Sequence, residues 1–143
     1  MNISNNIANN SPVLTLAMGL NLAKTQLQKQ LDKALSTHGI GVSEFLAMTV
    51  LANGEPMSRV ALADALAMSA SAITKLLNPM EKVGIIQKIA NEKDARQSLV
   101  ALSQTGKQIH QEAQITAQSE LSYHFARLNE SEIETLIALL GKI

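Results

Sequence analysis

Hydrophobic residues recur at three- and four-residue steps near the start of this chain, a spacing that is typical of amphipathic helices. The first stripe covers residues 13–36 and predicts a long helix with Lys, Gln and Asp between its apolar positions. A second segment is nearly all apolar; it begins at Ser43, whose hydroxyl is a candidate helix cap, and reaches Ala52. We expect this second helix to be buried.

The C-terminal part of the chain carries the helical pattern twice more. Ser103 is placed to cap a long helix that reaches about Arg127. Asn129 and Glu132 then form a capping-box pattern before a last apolar stripe. The helices at the two ends carry more apolar surface than one small domain covers, and such surface usually marks a partner interface.

The middle of the chain has a different pattern. After the turn formers NGEP, Ser58 is a candidate cap for a short helix, and Ser69 is one for a second helix that stops near Gly84. Two short apolar runs follow on either side of the polar residues 91–96. This arrangement predicts a β-hairpin with a charged tip.

Two helices across a tight turn, followed by a charged hairpin, describe a winged helix-turn-helix. The predicted fold is mainly α, with a two-stranded wing and long flanking helices that form a dimerisation region. The second helix of such a pair enters the DNA major groove, which is about 12 Å wide and accepts a helix. Short polar side chains at its N-terminal end can then approach base edges. Here these residues are Ser69, Ser71, Thr74 and Lys75.

A single folded domain is predicted, because 143 residues of which 46% are hydrophobic suffice for one core. The Asn- and Ser-rich residues 1–12 are interpreted as a flexible polar tail, and residues 13–143 as one winged-helix domain. Within that domain, residues 54–107 form the predicted DNA-binding lobe. Residues 13–37 and 103–143 supply the predicted dimerisation helices.

The composition excludes several classes of function. Without Cys there is no disulfide framework, thiolate zinc site or cysteine nucleophile. Aromatic residues make up only 2% of the chain, which leaves little material for stacking single-stranded bases. We see neither a membrane span nor a signal peptide, and therefore expect a cytoplasmic protein without a membrane partner.

Charge is balanced over the chain, with 12 Lys and Arg against 12 Asp and Glu, but it is unevenly distributed. Residues 54–107 carry a net charge of +2, whereas residues 108–143 carry −3. The middle is thus the most basic part, though only mildly. We expect modest affinity for DNA with a shallow salt dependence, releasing no more than about six counterions.

The segment from Met57 to Lys107 resembles the MarR (multiple antibiotic resistance regulator) family without a gap. The resemblance is carried by the helix pair, by the EKVGII link into the wing, by Asp94-x-Arg96 in the wing and by the LSQTGK entry into the next helix. The order of the flanking helices extends it over residues 13–143.

The resemblance implies a homodimer that acts as a ligand-relieved repressor on a pseudo-palindromic operator. Its recognition helix would be residues 69–83, with Arg96 placed in the minor groove and held there by Asp94. The resemblance also implies a small, often aromatic ligand between the dimerisation helices and the DNA-binding lobe. Because aromatic residues are few, we expect a pocket walled by Leu, Met and Ile, with His38 or His110 as a polar anchor.

The candidate site residues fall into two groups. The candidate DNA contacts are Ser58, Arg59, Ser69, Ser71, Thr74, Lys75, Asn78, Lys88, Lys93, Asp94 and Arg96. The candidate dimer contacts are Leu14, Leu16, Leu20, Ile133, Leu136, Ile137, Leu140 and Ile143.

Pro79 departs from the expected pattern because it falls inside the recognition helix. A proline there removes a backbone donor and costs roughly 3 kcal/mol. We expect a kink in the C-terminal half of the helix, and we expect residues 69–78, which read the bases, to stay helical.

Other functions have less support in the sequence. No phosphate loop, nucleophile motif or acid pair beside a His points to an enzyme, and we expect no cofactor. A zinc site of His38, Glu44 and His110 is not favoured over ordinary histidines, so no metal site is predicted. The main alternative is a winged-helix module that binds another protein and has weak or no specific affinity for DNA. A winged dimerisation domain from a larger enzyme is a third possibility, which we do not expect.

Overall fold

The computed structural model describes residues 11–143, which form a mainly helical domain with a small sheet. The elements follow one another in the predicted order, and one short strand is added to them. The helices are α1 (Pro12–Leu35), α2 (Val42–Asn53), α3 (Arg59–Ala65), α4 (Ala70–Lys82), α5 (Gln104–His124) and α6 (Glu130–Leu140), with a 3-10 turn at Ser36–His38. The strands are β1 (Met57–Ser58), β2 (Ile86–Ala90) and β3 (Ser98–Leu102).

The start of α1 differs slightly from the prediction. Ser11 caps the helix, its side chain accepting a hydrogen bond from the backbone N–H of Leu14, and Pro12 is the first helical residue. Proline suits this position because its missing N–H would have no partner in the helix. The predicted tail therefore contributes the cap, Ser11, and the first residue, Pro12, of α1, and the rest of that tail lies outside the described residues.

Four predicted helix caps are confirmed. Ser58, Ser69 and Ser103 each accept a hydrogen bond from the backbone N–H three residues further on. Asn129 and Glu132 form the reciprocal pair that the sequence indicated. These short polar side chains satisfy open amides that no helical carbonyl can reach, which fixes where each helix begins.

The predicted cap of α2 is wrong. The cap residue is Gly41, two residues before the predicted one, and the helix begins at Val42, so Ser43 lies inside the first turn. Two carboxylates satisfy the open amides: Glu44 accepts from the N–H of Gly41 at 3.1 Å, and Asp32 of α1 accepts from the N–H of Val42 at 2.8 Å. One partner at this boundary is therefore local and the other comes from α1.

The sheet is antiparallel, with the order β1, β3, β2. The predicted two-stranded wing is β2 and β3, in which Lys88 is opposite Val100. Met57 of β1 is opposite the same Val100 on the other side of β3. The sequence analysis missed β1 because two residues are too few to show alternation. This strand ties the start of α3 to the middle of the wing.

The core lies where α2, α4, α5 and the sheet meet. The largest fully buried side chains are Leu35, Met48, Leu62, Ile73, Leu77 and Val100. They come from α1, α2, α3, α4 and β3, while α5 contributes the small buried residues Ala113 and Ala117. Small residues let α5 approach closely, so the lobe and this long helix share one core.

The two ends of the domain are not covered. No residue of α6 is buried, and several large hydrophobic side chains in the first half of α1 are also exposed. The exposed set on these two helices includes Val13, Leu14, Leu16, Met18, Ile133, Leu136, Ile137, Leu139 and Leu140.

Taken one at a time, the helices within residues 11–143 are not long and apolar enough to cross a membrane. Two bent pairs of consecutive helices are long and apolar enough when the two members are taken together, by length and composition only.

Candidate DNA-binding surface

Helix α4 presents a polar face to solvent. Ile73, Leu77 and Met80 point into the core, whereas the residues on the opposite side are exposed. The exposed predicted contacts on this helix are Ser71, Thr74, Lys75 and Asn78. Because residues three and four apart share a helix face, these side chains form one outward surface.

Pro79 does not interrupt α4. The helix runs without a break from Ala70 to Lys82, so residues 70–78 are helical as predicted. Pro79 is exposed and lies three residues before the end, where only the final turn follows it. The half of the helix that carries the candidate reading residues is therefore intact.

Ser58 and Ser69 lie at the beginnings of α3 and α4. The Oγ atom of each accepts a backbone N–H at 3.1 Å. A hydroxyl that accepts in this way keeps its own hydrogen for a second bond. Together with the positive end of the helix dipole, this makes each helix start suited to a phosphate oxygen.

Four polar side chains meet between α3, the end of α4 and the wing; we call them the Glu81 cluster. The Arg59 Nη2 atom lies 3.5 Å from Glu81 Oε2, and Arg59 Nη1 donates to Asn78 Oδ1 at 3.2 Å. Lys88 Nζ lies 3.5 Å from Glu81 Oε1. Three of the predicted DNA contacts therefore converge here, around a carboxylate that the sequence analysis did not single out.

The wing tip is ordered by local hydrogen bonds. Asn91 Oδ1 accepts from the N–H of Lys93 at 3.1 Å, and Asp94 Oδ1 accepts from the N–H of Arg96 at 3.0 Å. Asp94 thus accepts a hydrogen bond from the backbone of Arg96 and forms no ion pair with its side chain. The ion pairs found within residues 11–143 all involve Glu81. The side chains of Lys93 and Arg96 are exposed at the tip.

All three histidines connect α5 to neighbouring elements. The Nε2 atom of His38 lies 2.7 Å from the Oγ1 of Thr116, and His124 is hydrogen-bonded to Gln30 of α1. His110 is buried, as described below. Across the described part of the chain, no three His, Cys, Asp or Glu side chains gather as a metal site would require.

His110 lies in the core between α5 and α2. Its Nε2 atom is 3.0 Å from the Oγ1 of Thr49, and its ring stacks on Phe45 with the centroids 5.5 Å apart. Burial lowers the pKa of His110, because the apolar surroundings disfavour the charged imidazolium. The ring is therefore an uncharged link between the two helices near neutral pH.

A cavity of about 620 Å³ opens between α2, α5 and α6. Phe45 and Phe125, both phenylalanines of the chain, line it beside Leu46, Leu121 and Ile133. Its polar lining comes from Thr49, Gln114, Gln118 and Ser122. Leu and Ile side chains line this cavity as expected for the pocket, whereas the expected Met and His residues do not. The residues that line this cavity are distant in sequence, so no pattern along the chain could predict that they meet.

The start of α5 is joined to the link between α4 and β2. Ser103 Oγ donates towards the carbonyl oxygens of Gly84 and Ile85, at 2.5 and 3.0 Å. A Cβ added to Gly106 would lie only 2.1 Å from the carbonyl oxygen of Ile85, so helix and link are in direct backbone contact. The start of α5 is therefore in direct contact with the link that follows the recognition helix.

This architecture, an exposed polar recognition helix beside a charged two-stranded wing, defines a winged-helix DNA-binding protein. The model of the MarR family matches residues 40–98. The HTH-type transcriptional regulator Mb0904 of Mycobacterium bovis is 30% identical over 121 residues, which is 85% of this chain and 85% of that protein. The chain belongs to the MarR family of transcriptional regulators, and it binds DNA as a regulator.

Two solved structures share the fold. A mutant of MarR from E. coli in complex with operator DNA superposes with a TM-score of 0.84 at 23% identity, covering 91% of this chain and 94% of that one. CouR from Rhodococcus jostii RHA1, bound to p-coumaroyl-CoA, gives a TM-score of 0.79 at 16% identity, covering 87% and 88%. At these identities the likeness concerns the fold.

Proposed function

We propose that this protein is a cytoplasmic homodimeric repressor that binds a pseudo-palindromic operator and is released by a small molecule. The observation that carries the proposal is the uninterrupted polar face of α4 beside the exposed wing tip. A surface of this shape has a helix to fit the major groove and a hairpin to reach the adjacent backbone or minor groove.

Each candidate contact has a role that follows from its position. Ser71, Thr74 and Lys75 on the exposed face of α4 would read base edges. Ser58 and Ser69 at the helix starts would hold phosphates, which fixes the register of the helix on the duplex. Lys93 and Arg96 at the wing tip would enter or flank the minor groove, with Asp94 ordering the backbone of the turn.

A second copy of the chain is the partner we propose for the uncovered ends. The predicted dimer contacts on α6 are all exposed, and Ile137 is 65% exposed. Leu14 and Leu16 of α1 are exposed as well. Two copies joined through these helices would carry two recognition helices, which matches the two half-sites of a pseudo-palindrome.

The proposed ligand is a small, flat molecule with an apolar body and few polar groups. The cavity between α2, α5 and α6 is within the size range of ligand sites, and Phe45 and Phe125 offer ring contacts. CouR, which has the same fold, is bound to an aromatic acyl thioester. Phe45 and Thr49 contact both this cavity and His110, so a ligand there would press on the packing of α2 against α5.

One observation favours the alternative of a protein-binding module. Two of the cations expected to contact DNA, Arg59 and Lys88, are paired with Glu81, which weakens the positive field of the lobe. The test must therefore separate specific DNA binding from weak, general attraction.

Fluorescence anisotropy with the DNA upstream of the protein's own gene, beside a shuffled duplex at two salt concentrations, provides that test. We expect the native fragment to bind at least about a hundredfold more tightly. Arg96→Ala should weaken DNA binding several-fold without lowering the melting temperature. Arg127→Ala, in the loop before α6, should leave DNA binding unchanged. Equal weak binding to both duplexes would instead support the protein-binding module.

A further inference from the structure

Glu81 occupies an unusual place for a carboxylate on a surface that binds a polyanion. It lies in the last turn of α4, and its two oxygens face cations from two other elements, Arg59 at the start of α3 and Lys88 on β2. The Arg59 guanidinium also holds the side-chain carbonyl of Asn78 on the exposed face of the same helix. One acidic side chain therefore engages three candidate DNA contacts, two of them directly.

The contacts of the Glu81 cluster are too exposed to serve mainly for stability. The side chain of Lys88 is 54% exposed, that of Glu81 34% and that of Arg59 24%. Both ion pairs are 3.5 Å long, and ion pairs in such positions contribute less than about 1 kcal/mol to folding. Because these ion pairs add little to folding, the effect of Glu81 on DNA binding has to be considered.

We propose that Glu81 is an internal competitor of the DNA backbone, which limits affinity by occupying Arg59 and Lys88 and by repelling phosphate. A phosphate must displace the carboxylate from both cations before they can bind it. With Glu81 charged, the three ionised groups present a net charge of +1; without it they present +2. Arg59, once released, would also leave the amide of Asn78 free for the duplex.

This inference rests on one part of the proposed function, namely that the lobe of residues 54–107 faces duplex DNA. Phosphate contacts carry no sequence information, so Glu81 sets the strength of binding and leaves the sequence preference to other residues of α4. It also supplies a structural reason for the shallow salt dependence expected from the sequence, because fewer cations of the lobe are available to replace counterions.

The experiment compares Glu81→Gln with wild type and with Glu55→Gln, using the full chain. Glu55 is an exposed carboxylate of the same lobe, in the turn before β1, and the ion pairs of the described residues do not involve it. Both variants change the net charge equally. Anisotropy is measured on the native upstream fragment and on the shuffled duplex over a series of salt concentrations.

For Glu81→Gln we expect tighter binding to both duplexes by a similar factor, about three- to tenfold at low salt, and a salt slope steeper by about one counterion. Glu55→Gln should change affinity by less than about twofold. If Glu81→Gln binds no more tightly than wild type, or if Glu55→Gln gains as much, the proposal is wrong. Unchanged melting temperatures show that folding is intact, and Glu81→Ala repeats the test should the Gln variant fold poorly.

A double-mutant comparison tests the route of the effect. In a background with Arg59→Gln and Lys88→Gln, the gain from Glu81→Gln should fall to less than half, because the cations it releases are gone. A gain of the same size would show that Glu81 does not act through them, which overturns the proposal. If wild type does not distinguish the two duplexes, the proposed function fails, while the Glu81 effect on the shuffled duplex is still measured.

Discussion

Gly106 shows how a single residue sets the distance between two parts of the domain. It is buried in the first turn of α5, against the backbone of Ile85. Ser103 holds the same contact with hydrogen bonds to the carbonyls of Gly84 and Ile85. Any side chain at position 106 would force the helix away from the link that follows the recognition helix.

We predict that Gly106→Ala lowers the free energy of unfolding by at least about 2 kcal/mol, because the new methyl group would overlap a backbone oxygen that cannot turn aside. Urea unfolding followed by circular dichroism measures this. Gly54→Ala is the matched control, since its Cβ would lie 3.4 Å from the nearest atom, and it should cost much less. Equal losses for the two variants would contradict the explanation.

His110 makes stability depend on pH. Its pKa is lowered in the folded protein by burial, whereas the unfolded chain has the ordinary value of 6.5. As the pH falls below that value, the unfolded chain takes up a proton that the folded chain does not, so folding is destabilised. The loss grows until the pH reaches the folded pKa, and it is absent well above the unfolded one.

We therefore expect the free energy of unfolding to decrease from about pH 7.5 to about pH 5.5, and His110→Gln to flatten this decrease. Denaturant titrations at several pH values give the comparison. His124→Gln, which removes a histidine at an exposed hydrogen bond to Gln30, is the control and should keep the pH dependence of the wild type. The explanation fails if His110→Gln keeps the full dependence of the wild type.

Among the elements, helix α4 contains a proline, Pro79, and continues through it to Lys82. The N–H missing at Pro79 would have bonded the carbonyl of Lys75, one turn earlier. The lost bond lies near the end of the helix and at the surface, and Val83 still donates its N–H to the carbonyl of Pro79. The cost is therefore confined to the end of α4 that does not read bases.

Pro79→Ala should raise the free energy of unfolding by about 1–2 kcal/mol, because the restored hydrogen bond outweighs the extra freedom of the unfolded chain. DNA affinity should stay within about threefold, since the reading residues precede position 79. Thermal unfolding and anisotropy measure the two quantities, with Lys82→Ala on the same helix as control for stability. A less stable Pro79→Ala variant would mean that the proline is favourable where it stands.

At the scale of the whole molecule, the uncovered faces of α1 and α6 argue for self-association. The structure leaves every residue of α6 at least partly accessible, although the helix has a strong apolar stripe and a complete capping box. A short helix of this kind gains little stability from its own hydrogen bonds and needs a packing partner. Pairing with a second copy would supply that partner.

We expect a mass near twice 15.3 kDa in light scattering at micromolar concentration, and a shift towards the monomer for Ile137→Glu. The substitution would bury a charge without a partner in the apolar interface, which destabilises the dimer. Val60→Glu, at a residue that is 67% exposed on α3, is the control and should leave the mass unchanged. A monomeric wild type, or a dimer that tolerates Ile137→Glu, would argue against this interface.

Local patterns in the sequence were enough to predict the helices, four of their caps, the hairpin and hence the fold class. These features depend on residues within one helical turn or one hairpin of each other, so periodicity and capping chemistry record them. The boundary of α2 was missed because its cap residue is a glycine and one of the carboxylates that satisfy its open amides, Asp32, comes from α1. Strand β1 was missed because two residues show no period.

Which side chains meet became visible only in the folded protein. Arg59, Glu81 and Lys88 come from three elements, and Gly106 reaches Ile85 across a whole hairpin. The cavity between α2, α5 and α6 likewise brings residues of α2 together with residues 65 to 88 positions further along the chain. Such contacts depend on how helices pack, and packing is set by the shape of the whole core, which no local pattern along the chain encodes.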